Sequence, residues 1–251
     1  MRDRFGPQTG SAVRGGAPLL EASGIVRTYR GGNGVQAVRG ASLALAPKDF
    51  VALMGPSGSG KTTFIGVLSG LDTPDEGEVR WKGRRLLELP SEEQVALRQI
   101  GMGVVFQSFG LLPTLSAVEN VELPLRVSGA ELVDARSRAE SWLERLGLAD
   151  RMHNRTFELS AGQQQRVAVA RALISEPEVI LADEPIAEVD TENADLILEA
   201  LWEVIRRGGA VLAATHNREV LRYAGRVVLF RDGVIEAEGR PDEIASRLTV
   251  D

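Results

Sequence analysis

The run Gly55-Pro56-Ser57-Gly58-Ser59-Gly60-Lys61-Thr62 constrains this chain more than any other part of its sequence. It fits the spacing G-x-x-x-x-G-K-[ST] and directly follows five apolar residues, 50–54, which predict a buried strand. Glycines in such a loop let successive backbone N–H groups face a phosphate, and a helix predicted over 61–71 adds its positive N-terminal end. Lys61 is suited to the outer phosphates and the Thr62 hydroxyl to Mg²⁺. A glycine- and serine-rich loop with an incidental lysine is the alternative interpretation.

The composition is that of an ordinary globular chain, with 43% hydrophobic and 25% charged residues among 251. The longest apolar stretches, such as 179–182 and 210–214, are far shorter than the ~20 residues of a membrane-spanning helix, so we expect a soluble protein. The sequence has no cysteine, which excludes disulfides and thiolate metal sites. The net charge of -6 argues against nucleic acid as the main partner.

Two parts of unequal length are expected along the chain. Residues 1–18 are rich in Gly, Arg and Pro and contain no apolar segment of the kind a secretory signal needs, so they predict a flexible leader. Residues 19–251 predict one compact domain. Its pattern is strand-rich over 19–80 and helical over 111–175, which indicates an inserted helical subdomain.

The rest of the domain alternates short apolar runs with helical periodicity. This alternation predicts a mostly parallel sheet covered by helices. Strands are expected at 101–107, 178–182 and 210–215, helices at 131–147, 194–207 and 241–248, and a hairpin over 227–238 around Arg231-Asp232-Gly233.

Asp183 and Glu184 end the apolar run 179–182. If that run is a strand of the parallel sheet, both carboxylates lie at the sheet edge on which the glycine-rich loop opens. Asp183 is suited to a Mg²⁺ site, and Glu184 to orienting or deprotonating a water that attacks a terminal phosphate. A pair of acids favoured at a helix start is the alternative.

The stretch Leu159-Ser160-Ala161-Gly162-Gln163-Gln164-Gln165-Arg166 precedes a helical run, and Ser160 with Gln163 fits a capping box. A helix cap is therefore a sufficient structural reading of this pair. The stretch also closely resembles the signature sequence LSGGQ of ABC-type ATPases. The glycine-rich loop, the signature and the strand ending in Asp-Glu occur in the order found in that family.

The resemblance spans residues 19–239 and implies an α/β fold: a P-loop NTPase of the ABC ATPase type. Such a fold has a mostly parallel sheet core flanked by helices, an N-terminal antiparallel β subdomain and an inserted helical subdomain. The segments 70–79 and 106–125 are similar to the LolD/MacB/FtsE-like branch of the family.

The resemblance also implies roles for individual residues. Gln107 is similar to the Q-loop glutamine that touches Mg²⁺, and His216 to the switch histidine that contacts the γ-phosphate. Tyr29 stands where the family stacks an aromatic ring on adenine, although a lone strand tyrosine is more often simple packing. Asp190 resembles the D-loop aspartate at the subunit interface. His153 matches no motif, and we expect it to be a surface or packing residue.

The implied sites can be stated residue by residue. The expected catalytic residues are Glu184, His216 and Gln107. The expected ATP-binding residues are Tyr29, Gly55, Pro56, Ser57, Gly58, Ser59, Gly60, Lys61, Thr62 and Thr63. The expected metal ligands are Thr62, Gln107 and Asp183. The residues expected to act on the nucleotide of a second subunit are Ser160, Ala161, Gly162 and Gln163.

Two departures from the family pattern stand out. Ala161 occupies a position where the signature usually has glycine, and Ile186-Ala187-Glu188-Val189 replaces the commoner Thr/Ser-Gly/Ala-Asn-Leu run before Asp190. Alanine adopts helical dihedrals without strain, so Ser160 and Gly162 are still expected to face phosphate. The second departure is expected to affect turnover or communication between two sites.

The function that the resemblance implies is that of an ATP-hydrolysing transporter subunit with ATP and Mg²⁺ as its ligands. It would pair with a second ABC ATPase subunit, identical or not, and drive a separate membrane permease that docks near Gln107. The expected location is cytoplasmic, at the inner face of the cell membrane. Two alternatives stay open: a regulatory ATPase of the FtsE type that moves no substrate, and a soluble ABC ATPase without a transport role.

Overall fold

The computed structural model describes residues 17–29, 34–244 and 247, so most of the expected leader lies outside the described residues. The strands are β1 (Leu20–Tyr29), β2 (Val35–Leu45), β3 (Phe50–Met54), β4 (Glu76–Trp81), β5 (Arg84–Arg85), β6 (Met102–Val105), β7 (Val179–Asp183), β8 (Ala210–Thr215), β9 (Arg226–Arg231) and β10 (Val234–Gly239). The helices are α1 (Lys61–Leu68), α2 (Ser91–Ala96), α3 (Ala117–Val127), α4 (Leu132–Arg145), α5 (Ala161–Leu173), α6 (Thr191–Arg206) and α7 (Pro241–Ile244).

The strands form two sheets, as the sequence predicts. The first is antiparallel with the order β2-β1-β4-β5. The second has the order β10-β9-β3-β8-β7-β6, and all its neighbours are parallel except the β9–β10 hairpin. The hairpin turn is the expected one, because Asp232 and Gly233 both have positive φ, at 47° and 81°.

The central strands of the second sheet, β3, β7 and β8, are buried on both faces, so their residues are apolar instead of alternating, except for Asp183 and Thr215 at the strand ends. Successive residues of β3 show how the two faces divide the core. Phe50, Ala52 and Met54 pack in a cluster with the helices α3 to α6, whereas Val51 and Leu53 pack with α1 and the antiparallel sheet. The parallel sheet is therefore the common wall of two hydrophobic cores.

Helices α3, α4 and α5 fill residues 111–175, together with short 3₁₀ turns at Ala149–Arg151 and Thr156–Glu158. The helix expected over 61–71 is shorter than predicted: it ends at Leu68, and Gly70 takes a φ of 67° that leaves the helical region. Of the helix expected over 241–248, the structure has Pro241–Ile244, and residues 245, 246 and 248 lie outside the described residues. No helix among the described residues is both long and apolar enough to span a bilayer.

A buried asparagine ties the start of the helical segment together. Asn120 on α3 has no exposed surface, and its amide nitrogen donates to the carbonyl oxygens of Leu112, Leu115 and Ser116 at 3.0–3.3 Å. Its Oδ1 accepts from the Leu112 N–H at 2.8 Å. One side chain thus satisfies the backbone of the non-helical connection that leads from β6 into α3.

Removing this amide is expected to destabilise the fold. Asn120→Ala removes the side-chain partner of the Leu112 N–H and of three carbonyl groups and leaves a gap at a fully buried position, so the free energy of unfolding should fall by about 2–3 kcal/mol. Urea denaturation followed by circular dichroism measures the change. Val127→Ala on the same helix, at a side chain that is 61% exposed, is the matched control and should change stability by less than about 0.5 kcal/mol. Equal effects of the two substitutions would contradict the assigned role of Asn120.

Candidate functional site

Parallel register brings the predicted site residues to one edge of the second sheet. Met54 at the end of β3 is paired with Thr215 at the end of β8, and Asp183 at the end of β7 is paired with Ala214. Since all three strands run the same way, the glycine-rich loop, the Asp-Glu pair and the residue after Thr215 leave the sheet at the same edge.

The glycine-rich loop, residues 55–60, fits closely against its neighbours. A Cβ on Gly55 would lie 1.9 Å from the carbonyl oxygen of Phe230, and one on Gly60 would lie 2.0 Å from that of Ala37. Gly60 also has a φ of 102°, which L side chains rarely adopt. Helix α1 begins immediately afterwards at Lys61, so its free N–H groups open onto the loop.

Lys61 is buried inside the loop. Its Nζ donates to the carbonyl oxygens of Gly55 at 2.8 Å and Pro56 at 2.9 Å, and the residue is only 6% exposed. Burial lowers the pKa of this ammonium, and the negative charges of Glu184 and Asp183 act in the opposite direction. These two hydrogen bonds hold the Lys61 ammonium at the mouth of the loop. An anion that enters the loop can replace the two carbonyl groups as the partner of this ammonium.

Asp183 carries an oxygen atom that no other described residue satisfies. The residue is 3% exposed, and its fully buried Oδ1 makes no hydrogen bond within the described part of the chain. Burial raises the pKa of this carboxyl, and the charge of Glu184 adds to the rise, while a hydrogen bond with Thr62 and the charge of Lys61 lower it. A buried carboxylate oxygen beside a threonine hydroxyl is a donor set that suits a hard cation such as Mg²⁺.

Protein side chains alone do not complete such a cation site. Among the described residues, no group of three or more His, Cys, Asp or Glu residues is arranged to hold a metal ion. A Mg²⁺ ion near Asp183 would therefore need further oxygen ligands from water or from a bound phosphate, as is usual for Mg²⁺ in phosphoryl-transfer sites.

Glu184 is held on both carboxylate oxygens. Its Oε2 accepts from the Thr215 hydroxyl at 2.7 Å, and its Oε1 lies 2.8 Å from Nδ1 of His216. The backbone has a positive φ of 49°, and its N–H donates to the carbonyl of Ala214 at 2.8 Å. His216 itself is open to solvent, with 68% of its side chain exposed, so the pair joins a buried acid to an accessible imidazole.

Tyr29 lies at the end of β1, and its ring is anchored at one point. The hydroxyl donates to Oδ2 of Asp72 at 2.8 Å, and the guanidinium of Arg27 lies 5.0 Å from the ring centre while also pairing with Asp72 at 2.7 Å. Tyr29 is 44% exposed. The side chain is thus a partly open aromatic surface, not a core residue.

Gln107 follows β6 and is exposed. The turn beyond it is fastened by Arg171 of α5, which donates to the carbonyl oxygens of Phe109 at 2.9 Å and Gly110 at 2.5 Å. Phe109 has a positive φ of 63°, so the turn is strained at a non-glycine residue. Burial lowers the pKa of Arg171, which remains charged because arginine titrates far above neutral pH.

Ser160 caps α5 in the predicted capping box. The Gln163 N–H donates to the Ser160 hydroxyl at 3.3 Å, and the Ser160 N–H donates to Oε1 of Gln163 at 2.9 Å. Ser160 and Ala161 are exposed, and Ala161 is the first residue of the helix, where a methyl group is tolerated. At Gly162, in contrast, a Cβ would lie 2.8 Å from the carbonyl of Glu188.

Asp190 caps the next helix, α6. Its carboxylate accepts from the backbone and side-chain amides of Asn193 at 2.9 Å, and these hydrogen bonds lower its pKa. Residues 186–189, which depart from the family pattern, precede Asp190. Gly162 lies against the carbonyl of Glu188, so the signature stretch packs against residues 186–189 of the same chain.

Five predicted residues therefore form one group, which we call the carboxyl-edge cluster: Lys61, Thr62, Asp183, Glu184 and His216. The remaining predicted residues lie on other elements and make their contacts there. His153 is exposed and joins none of these groups, as expected for a residue outside the motifs.

Sequence reasoning missed three residues that hold the site. Thr215 fixes Glu184, and its position at the end of an apolar strand, directly before His216, was a usable signal. Arg171 and Asp72 fasten the segments that carry Gln107 and Tyr29, and each does so across long stretches of sequence. Nothing local in the sequence marks those two contacts.

Comparisons with known proteins identify the family and the fold of the chain. The family model described as "ABC transporter" matches residues 38–187. A lipoprotein-releasing system ATP-binding protein, LolD of Maricaulis maris, is 43% identical over 86% of this chain and 95% of its own length. The macrolide export ATP-binding/permease protein MacB of Syntrophobacter fumaroxidans is 44% identical over 88% of this chain.

The length of the match differs between these relatives. The chain spans 31% of that MacB protein and 34% of a pyoverdine export ATP-binding/permease protein, PvdT of Pseudomonas aeruginosa, to which it is 42% identical. Among solved structures, the ATP-binding cassette MJ0796 in a dimeric post-hydrolysis state with ADP and Pi is 35% identical. It aligns with a TM-score of 0.83 over 92% of this chain and all of its own.

The raised pKa of Asp183 predicts a pH-dependent gain in stability when its charge is removed. A carboxyl whose pKa is raised by folding favours the folded state at acidic pH and opposes it as pH rises through that pKa. Asp183→Asn should therefore raise the thermal midpoint at pH 8, with a smaller gain at pH 4, near the ordinary carboxyl pKa of about 4. Differential scanning calorimetry measures both, with the exposed Asp150→Asn as control. A gain that is absent at pH 8 would contradict the burial argument.

Proposed function

The chain belongs to the ABC transporter family, and we propose that it is the ATP-hydrolysing subunit that powers a membrane permease. The observation that carries the proposal is the carboxyl-edge cluster, in which a buried lysine, a buried aspartate with a free oxygen and a doubly held glutamate meet at the mouth of a glycine-rich loop. These are the groups that phosphoryl transfer to water requires.

The proposed nucleotide site follows from these contacts. Backbone N–H groups of residues 57–63, at the loop and the start of α1, bind the phosphates, and Lys61 exchanges its carbonyl partners for the outer phosphates. The ring of Tyr29 stacks on the adenine, with Asp72 holding its hydroxyl. Thr62, Asp183 and Gln107 would hold Mg²⁺, which when bound offsets phosphate charge.

Glu184 is the proposed general base. Its carboxylate orients a water against the γ-phosphorus and takes up its proton as the new P–O bond forms and the bond to the bridging oxygen of ADP breaks. His216 is exposed and lies at 2.8 Å from the same carboxylate, so its imidazole can contact a γ-phosphate oxygen next to the attacking water.

A second copy, or a related subunit, is the proposed partner of this site. Ser160 and Ala161 are exposed at the positive end of α5, which suits the phosphate of a nucleotide bound to another chain. Asp190 is proposed to lie at the same interface. The dimeric state of the MJ0796 cassette supports this arrangement.

A permease is the second proposed partner. The relatives named LolD, MacB and PvdT are export or release systems, two of them with ATP-binding and permease parts in one protein. The face beside Gln107 is the proposed contact, and the exposed side chains of Phe106 and Leu112 support it. The chain would then lie at the cytoplasmic face of a membrane, with residues 19–251 as its ATPase domain and 111–175 as the helical subdomain. A purely regulatory role is not favoured by the names of these relatives.

Replacement of Glu184 tests the proposed reaction. Glu184→Gln removes the base while keeping size and hydrogen bonding, so phosphate release from Mg-ATP should fall by roughly 100-fold or more. Glu199→Gln, an exposed carboxylate on α6, is the matched control and should turn over normally. Release should rise when the wild-type chain is reconstituted in lipid with its co-purified permease. Turnover that survives Glu184→Gln would refute the assignment.

The Glu184→Gln variant also tests whether nucleotide drives dimerisation. Static light scattering should show the mass of Glu184→Gln doubling when Mg-ATP is added at micromolar protein, because unhydrolysed ATP bridges two copies. Ser160→Arg in the Glu184→Gln background should stay monomeric, and EDTA should reverse the pairing. A persistent monomer of Glu184→Gln with Mg-ATP would argue against a shared nucleotide site.

A further inference from the structure

Thr215 contacts Glu184 of the carboxyl-edge cluster and has no exposed surface. It is the last residue of β8, and its register partner is Met54, the last residue of β3 before the glycine-rich loop. Its hydroxyl oxygen lies 2.7 Å from Oε2 of Glu184. Of the two oxygens of Glu184, this is the one turned away from the exposed His216.

The Thr215 hydroxyl is the donor in this hydrogen bond, because an ionised carboxylate only accepts. A third residue contacts the same hydroxyl: the backbone N–H of Asn217 donates to its oxygen at 3.0 Å. The hydroxyl thus accepts from Asn217 and donates its single proton to Glu184. Asn217 is itself held as the cap of the turn Arg218–Arg222, where its Oδ1 accepts from the Glu219 N–H at 2.9 Å.

Glu184 is the first residue after β7, and its backbone is strained. Its φ of 49° is a conformation that costs energy for a residue other than glycine, and such strain persists only where the surrounding contacts hold it. A carboxylate held at one oxygen by a buried donor keeps a single orientation, with the other oxygen directed towards His216.

We propose that Thr215 is a positioning residue for ATP hydrolysis: its hydroxyl holds Oε2 of Glu184 so that Oε1 is presented to the attacking water. The proposal rests on the function proposed above. It assigns no chemistry to Thr215 itself, which is fully buried and acts through Glu184. A purely structural hydroxyl at the end of β8 is the competing account.

Two pairs of side chains distinguish the effect of the Thr215 hydroxyl from the effect of side-chain shape. Threonine and valine have nearly the same shape, and serine and alanine differ by the hydroxyl alone. With the full chain and Mg-ATP, Thr215→Val should lower kcat by about tenfold or more, since a general base contributes 10²–10⁴-fold and is here misdirected, not removed. KM and the affinity for a fluorescent ATP analogue should stay within about twofold. Thr215→Ser should restore most of the turnover that Thr215→Ala loses.

The Glu184→Gln background supplies the decisive comparison. Adding Thr215→Val to Glu184→Gln should not slow the residual turnover further, because the base that the hydroxyl positions is already gone. A tenfold loss in both backgrounds would overturn the proposal, as would equal kcat values for Thr215→Ser and Thr215→Ala. The serine and alanine pair decides the question if the valine variant does not fold.

Failure of the underlying function would look different. If Glu184→Gln releases phosphate as fast as the wild-type chain, the proposed roles of both Glu184 and Thr215 are refuted. If release depends on Glu184 but does not change when the Thr215 hydroxyl is removed, only the proposed role of Thr215 is refuted.

Discussion

The charge balance at one sheet edge is the constraint on which the rest of this structure depends. A buried ammonium on Lys61 faces two buried carboxylates, those of Asp183 and Glu184, so negative charge exceeds positive charge in a poorly solvated place. Burial disfavours the charged form on both sides, because it lowers the pKa of Lys61 and raises that of Asp183. Ionisable groups with shifted pKa values are common at functional sites, and this cluster is where we propose that Mg-ATP binds.

The surrounding fold keeps these groups together. Parallel pairing of β3, β8 and β7 aligns their carboxyl ends, and the glycine-rich loop leaves no room for a Cβ at Gly55 or Gly60. Side chains also hold the connection that leads from β6 into the helical segment: Asn120 donates to carbonyl groups of residues 112–116, and Arg171 to those of Phe109 and Gly110. The charged groups of Lys61, Asp183 and Glu184 are buried, whereas His216 and Ser160 are exposed.

Much of this arrangement could be predicted from the sequence, since it follows from local patterns. The apolar runs at β3, β7 and β8, the capping box at Ser160 and the two-residue hairpin turn at Asp232 all depend on neighbouring residues. The end of α1 was missed because Gly70, not the hydrophobic pattern, decides where it stops. The contacts of Thr215 with Glu184 and of Arg171 with Gly110 join residues 31 and 61 positions apart, and only the folded chain brings them together.

The position of the bound nucleotide is the most direct test of the proposed site. A crystal structure of the Glu184→Gln chain with Mg-ATP should show two copies related by a two-fold axis. Each triphosphate should lie between Lys61 of one copy and Ser160 of the other, with Mg²⁺ beside Asp183 and Thr62. Nucleotide bound away from the carboxyl-edge cluster, or enclosed by a single copy that contributes both Lys61 and Ser160, would contradict it.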